Sequence, residues 1–401
     1  MSLTAFEFFS VPRIVFSRGA LARLGQLAAG FGNRAVIVYN GGESNAERAQ
    51  KILLDSKLAI STFRQKGEPT VNDIDRGLET ARSFGAQVII GLGGGSAIDT
   101  AKAVAGLLTN GGSALDYMEV VGKGQKIIKP AAPWIAIPTT AGTGAEATRN
   151  AVIGASERKF KASIRSEQLP ARIALIDPEL GMSTPPQVTA SSGMDALCQL
   201  IESYTSLGAQ PMTDALAVKG IELAARSLVR AHRDGADAIA REEMSLAALW
   251  SGITLTNAGL GAVHGFAAPL GANFPVPHGT ICAALLPHVL AANISAIRAR
   301  SENDPLLQRY AAIGRLLTDD KKISESEAID SAIRCTIDLT IQLQIPPLSR
   351  FGLSERDIQP MVQLARAASS MRYNPIELSN EVLAGVLRAG IKGEMNTRME
   401  N

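Results

Sequence analysis

The 401-residue chain is poor in cysteine, histidine and aromatic residues, with three Cys, four His and 4% Phe, Trp and Tyr together. Cys198, Cys282 and Cys335 are too few and too scattered for a disulfide framework or a cysteine metal cage, which fits a reducing cytoplasm. Charge of one sign is missing as well: 40 basic residues against 38 acidic leave a formal net charge of +2. Without a basic stripe interleaved with aromatics there is no nucleic-acid footprint. No run of about 18 apolar residues occurs, and the opening MSLTAFEFFSVPRIVFSRGAL lacks a basic start followed by an unbroken apolar stretch. These absences argue against secretion and membrane insertion. The 37 Gly and 19 Pro are dispersed rather than gathered in a low-complexity tract. A small-molecule partner is expected.

What is present is apolar patterning on a chain too long for one core, so two domains are expected. RAVIVYN from Arg34, AISTFRQ from Ala59, AQVIIGLG from Ala86, WIAIPTT from Trp134 and IALIDPEL from Ile173 read as buried strands. Helical spacing covers 45–58, 73–84 and the segment SAIDTAKAVAGLLTN from Ser96. Strand and helix in alternation imply a mainly parallel sheet covered on both faces. After Leu180 the Pro- and Ser-punctuated STPPQVTASSG leads into segments of almost purely helical periodicity. The reading is an α/β domain over 1–183 and an all-helical domain over 184–401.

VIIGLGGGSAIDTAK places Gly93, Gly94 and Gly95 between a strand and a helix whose expected N-cap is Ser96. Such a turn lets a phosphate approach the backbone at a helix start. The spacing is not G-x-G-x-x-G, and a plain strand-to-helix joint suits it equally. Asp99 and Lys102 lie three apart on that helix, and a solvated pair is the bland reading of them beside a role at the ligand. PTTAGTGAEAT follows the next strand with Thr139, Thr140 and Thr143, so two polar clusters end parallel strands, where ligands bind in such sheets.

In GMDALCQLIESY, Asp195 and Gln199 share a helix face with Glu202 nearby. GAVHGFAAPLGANFPVPHG carries His264 and His278, each followed by glycine. Taken singly, an Asp at a helix start and a lone His are structural; together they suit a shared ligand set. His288 reads as structural and His232 as a surface residue.

GGGSAIDTAK, PTTAGTGAEAT, DPEL, GMDAL, GAVHGFAAPLG and PHG, in that order, resemble the iron-containing (group III) alcohol dehydrogenases. The resemblance reaches more weakly to VPRIVFSRGAL and to NPIEL at Asn374. It implies a dinucleotide-binding α/β domain followed by a helical metal and substrate domain, an architecture shared with dehydroquinate synthase. It further implies an NAD or NADP cofactor, a divalent Fe²⁺ or Zn²⁺, and interconversion of an alcohol with an aldehyde or ketone. By position, Gly94, Gly95, Ser96 and Asp99 would meet the cofactor's phosphates and nicotinamide side. Thr139, Thr140, Thr143, Lys161 and Leu180 would meet the rest. Asn40 falls where NAD-preferring members carry a carboxylate, which favours NADP, with Arg48 nearby. Asp195, His264 and His278 would bind the metal and carry the catalysis. Two departures stand out. Gln199 replaces a histidine ligand, so it would coordinate weakly or through water and retention of the ion would fall, and Ala268 replaces a histidine linked to proton relay. Related readings are a metal-free reductase of an unsaturated oxo-acid resembling maleylacetate reductases, with Arg149 on a carboxylate, or a sugar-phosphate cyclase-type lyase, for which only Lys102, Arg149, Lys159 and Lys161 offer positive charge. A noncatalytic dinucleotide sensor is a third. FEFFSVPRIVFS supplies an apolar edge that could pair across a two-fold axis, giving a homodimer.

Overall fold

A computed structural model describes residues 5–120, 122–155 and 160–394. The chain divides into two units, one running from Phe9 to Thr184 and the other from Pro185 onward. Residues 5–8 group with the second unit, not with the α/β unit expected to hold them.

The first unit contains, in order, β1 Ile14–Phe16, α1 Leu24–Ala29, β2 Arg34–Tyr39, α2 Glu43–Asp55, β3 Ala59–Arg64, α3 Val71–Phe84, β4 Val88–Gly93, α4 Gly95–Asn110, α5 Ala114–Tyr117, β5 Trp134–Pro138, β6 Asn150–Ala155, β7 Phe160–Arg165 and β8 Ile173–Ile176. Six of these strands form a parallel sheet in the order β1-β8-β5-β4-β2-β3. Alternate residues of β2 and β4 feed opposite faces, as a strand's period of two requires. Val36, Val38 and Ile89 pack with Ile74 and Leu78 of α3 and with Ile98 and Val104 of α4. Ala35, Ile37, Val88 and Ile90 pack with Leu24 of α1 and with Ala49 and Leu53 of α2. The expected alternation is therefore present, and α3 begins where Thr70 and Asp73 close a reciprocal capping box.

Three features differ from the expectation. The helix after the glycine turn starts at Gly95 with Gly94, not Ser96, at the N-cap. The helix expected over 45–58 begins at Glu43 and stops at Asp55, and Lys57 takes a left-handed conformation with φ 64°. A separate antiparallel hairpin, β6 with β7, lies where no strand was anticipated.

The second unit contains α6 Pro186–Thr205, α7 Pro211–Arg233, α8 Ala238–Ala258, α9 Ala262–Asn273, α10 His278–Arg300, α11 Pro305–Thr318, α12 Glu325–Gln342, α13 Ile358–Ala367 and α14 Asn380–Lys392. It has no strand among the described residues. Among those residues α10 is the one helix long and apolar enough on its own to cross a bilayer, but 83% of its apolar window is buried inside the protein. It packs against α6, α9, α12 and α14 as a core helix.

Candidate functional site

In the α/β unit the strand order reverses direction between β2 and β4, and the polar residues gather at the carboxyl ends flanking that point. Gly93 closes β4 at φ 148°, a region that favours glycine. Asn40, just past β2, accepts the Gly94 N–H on its Oδ1 at 2.9 Å. From the neighbouring β5, the Thr139 N–H donates to the Gly93 carbonyl at 2.9 Å. A methyl group added at Gly95 would stand 2.9 Å from Thr143 Oγ1, and one at Gly94 would stand 3.4 Å from Thr140 Oγ1. The two polar clusters are thus one cradle with glycine for its floor. First-turn N–H groups of a helix have no intrahelical acceptor, so Gly95 and Ser96 suit a phosphate there. Leu180 is buried, and its carbonyl accepts from Asn45 Nδ2 at 3.2 Å.

Asp99 and Lys102 are placed otherwise than expected. Lys102 is fully buried and Asp99 13% exposed at its side chain, so the pair is not solvated: Lys102 Nζ donates to Asp99 Oδ1 at 3.2 Å, Thr148 Oγ1 at 2.7 Å, and the Ala145 and Asn150 carbonyls at 2.9 and 2.6 Å. Asp99 Oδ2 accepts the Val152 N–H of the hairpin at 2.9 Å, while Oδ1 takes Lys102. Lys161 on β7 pairs with Glu68 at 3.8 Å, and no described contact ties it to the glycine turn. Lys159 lies outside the described residues.

Burial pushes the neighbouring Glu146 carboxyl up to about 7, with Lys102 offsetting only part of that. A carboxyl raised above its unfolded value gives stability that is complete below the unfolded pKa and is lost as pH rises through the folded one. The 4.5 to about 7 interval therefore sets the window, with an upper bound of about 3 kcal/mol. Glu146→Gln should flatten the fall in melting temperature between pH 5 and pH 8; an unchanged slope in thermal melts would contradict this.

The second cluster lies wholly within the helical unit. Asp195 sits on α6 at 1% exposure. His264 stands in the first turn of α9 and His278 opens α10. Asp195 Oδ1 lies 3.2 Å from His264 Nε2 and 3.6 Å from His278 Nε2. The other nitrogen of His264, Nδ1, is 2.7 Å from Glu202 Oε2, one of two carboxylate oxygens that also accept the Val263 and His264 amides. Glu202 thus caps the start of α9 and sets the ring's orientation. Asn374, from the NPIEL segment, completes that cap by accepting the Ala262 N–H at 3.1 Å. His278 is 37% exposed at its side chain, which opens the cluster to solvent.

Gln199 does not present a free donor to this cluster. Its Nε2 donates to Asp195 Oδ2 at 3.2 Å, and its Oε1 accepts from Ser251 at 2.8 Å. The amide oxygen expected to coordinate is occupied from α8, and Gln199 orients Asp195 instead. Spacing had not singled out Cys282, one turn after His278 on α10 and fully buried, although the i, i+4 interval was there to read. Its sulfur lies 3.7 Å from His264 Nε2. Burial alone would depress both imidazoles, but Cys282 and Asp195, with Glu202 for His264, outweigh it. His264 is held well above its usual range and His278 at about 9. Burial likewise raises Asp195, yet the two imidazoles win and lower it. A buried carboxylate facing two imidazoles, one of them backed by a second carboxylate, has the donor chemistry of a divalent-metal site with its outer shell in place. His232, on α7, contacts the Pro186 carbonyl at 3.0 Å, and half-buried His288 is depressed by burial.

Residues 12–178 match the family model "Iron-containing alcohol dehydrogenase", and residues 189–391 match "Fe-containing alcohol dehydrogenase family, C-terminal". Alcohol dehydrogenase 4 of Saccharomyces cerevisiae is 32% identical over 387 residues, covering 95% of this chain and 97% of that protein. Long-chain-alcohol dehydrogenase 1 of Geobacillus thermodenitrificans is 40% identical over 331 residues, covering 81% and 80%. The crystal structure of a 1,3-propanediol oxidoreductase superposes with a TM-score of 0.89 at 30% identity, covering 96% of this chain and 100% of that one.

Proposed function

Because the chain belongs to the iron-containing alcohol dehydrogenase family, we infer that it moves a hydride between a nicotinamide dinucleotide and a small alcohol or aldehyde, with Asp195, His264 and His278 holding a divalent ion. The observation that carries this reading is the meeting of Asp195 Oδ1 with both imidazole Nε2 atoms. When bound, the ion supplies Lewis-acid polarisation of the substrate oxygen, and the nicotinamide supplies the hydride acceptor or donor. Asp195 brings the charge that holds a cation in a buried pocket. Glu202 fixes the His264 tautomer and leaves Nε2 as the coordinating nitrogen. Gly95 and Ser96 offer backbone N–H groups to the pyrophosphate and Gly94, lacking a side chain, leaves room for it, with Thr140 and Thr143 as its wall. Ala268, exposed one turn after His264, cannot relay a proton, so the alcohol proton leaves through water or a cofactor hydroxyl.

The reductase and lyase alternatives are not favoured. Arg149 pairs with Glu167 at 3.2 Å, Lys161 pairs with Glu68, and Lys102 is fully buried, so among the described residues their anion pocket lacks its cations. Turnover of NADH or NADPH against a panel of aldehydes, with metal analysis of the purified protein, tests the reading. Failure with every short alcohol and aldehyde would overturn it.

The preferred dinucleotide is proposed to be NADP. Asn40 supplies the acceptor that braces Gly94 without the negative charge that repels a 2′-phosphate, and Arg48 on α2 is exposed nearby. Asn40→Asp preserves the brace and restores the repulsion. It should lower kcat/KM for NADPH about tenfold, near the roughly 1.4 kcal/mol expected of one unfavourable charge contact. A wild-type preference for NADH would contradict the proposal.

The protein is further proposed to be a cytoplasmic homodimer. β1 is an edge strand of the sheet, and its Ile14 is 39% exposed, an apolar edge that needs covering. Cys198, Cys282 and Cys335 are all free thiols, as a reducing compartment maintains. Light scattering at micromolar concentration should give twice the 42.2 kDa chain mass; a strictly monomeric mass refutes the dimer.

A further inference from the structure

Gln199 leaves a coordination place unfilled, because its amide is divided between Asp195 and Ser251. Resting on the metal-site reading above, we propose that Cys282 fills that place as a thiolate, making the metal set Asp195, His264, His278 and Cys282. One ligand atom from each of these four residues lies within 4.8 Å of all the others. Metal–nitrogen and metal–oxygen bonds of about 2.0–2.1 Å and a metal–sulfur bond of about 2.3 Å give tetrahedral edges of about 3.3–3.6 Å. The separations found are 3.2 Å from His264 to Asp195, 3.6 Å from His278 to Asp195 and 3.7 Å from Cys282 to His264. These three separations match edges of that polyhedron, and an ion so held takes the substrate oxygen as a fifth ligand. Cys282 and His278 reach it from one helix face because residues four apart project the same way.

A divalent cation displaces the thiol proton when it binds sulfur. Cys198 differs despite its proximity. Its sulfur faces His264 Nδ1 at 4.0 Å, the nitrogen already engaged at 2.7 Å by Glu202. Cys198 is therefore a neighbour of the ligand shell and not part of it. A thiolate beside a carboxylate neutralises a 2+ ion and makes the site soft, which selects Zn²⁺, Fe²⁺ or Co²⁺ over Mg²⁺ and Mn²⁺.

Titration of chelator-stripped full-length protein with Co²⁺, followed by absorption, tests the assignment. One equivalent should bind with visible bands of four-coordinate cobalt and an intense near-ultraviolet thiolate-to-cobalt band. Cys282→Ser should abolish the ultraviolet band and weaken binding by more than the roughly 10–100-fold that outer-shell changes cost. Cys198→Ser should leave both intact. X-ray absorption of the zinc-loaded wild-type protein, which depends on no variant folding, should show one sulfur at about 2.3 Å. Visible bands without the ultraviolet one, its persistence in Cys282→Ser, or a zinc shell of nitrogen and oxygen alone would overturn the Cys282 ligand and leave the metal-site reading standing. Failure of the wild-type protein to hold an equivalent of any of the three soft ions would overturn both.

Discussion

Asp195→Ala is expected to lower kcat/KM for alcohol oxidation by on the order of a thousandfold, since Lewis-acid stabilisation supplies several kcal/mol and each 1.36 kcal/mol is tenfold in rate. Asp195 is the hub of the cluster: one oxygen meets both imidazoles and the other receives Gln199. Alanine removes the buried anion that attracts the cation and leaves two imidazoles without their shared acceptor. Metal content by mass spectrometry should fall to a trace. Dinucleotide affinity should not change, because the glycine turn belongs to the other unit. Retained activity in a metal-depleted Asp195→Ala protein would refute the role assigned to the ion.

Gly93→Ala should weaken dinucleotide binding by about 10–100-fold, from a backbone strain of about 1–3 kcal/mol and the brace it breaks. An alanine there must adopt φ 148°, and its methyl would stand 2.0 Å from Asn40 Oδ1. Asn40 must swing away, so the Gly94 N–H loses its acceptor and the turn its registration with β2. Quenching of protein fluorescence by NADPH measures the affinity, and a thermal melt separates a misplaced turn from an unfolded unit. An unaltered dissociation constant in a folded variant would show that the turn does not carry the pyrophosphate.

The parallel sheet was legible because β2, β4 and β5 are short, β-branched and buried on both faces, and each ends at Gly or Pro punctuation. The hairpin was not: FKASIR and NAVIGA mix polar and small residues with no clean alternation. The hairpin supplies the Val152 amide and Asn150 carbonyl that bury the pair, so without it the spacing of three on a helix reads as a solvated ion pair. Asp195, His264 and His278 could be picked out because histidine is scarce and each His precedes a glycine. Cys282 was hidden in TICAALL, where a thiol looks like any small core residue. Gln199 was assigned to the correct face, but its acceptor Ser251 comes from α8, and no local pattern foretells a partner 52 residues away.

The helices α6, α9 and α10 that converge on Asp195, His264 and Cys282 are distant along the chain, with 69 residues separating the first pair and 18 the second. An ion held by all of them is a removable cross-link that closes two loops in a unit without disulfides, and loop closure is a cost the unfolded chain bears alone. At one hundred times its dissociation constant such an ion adds about 2.7 kcal/mol to the folded state. The cell's supply of soft metal would then govern how long the helical unit survives, in addition to how fast it turns over.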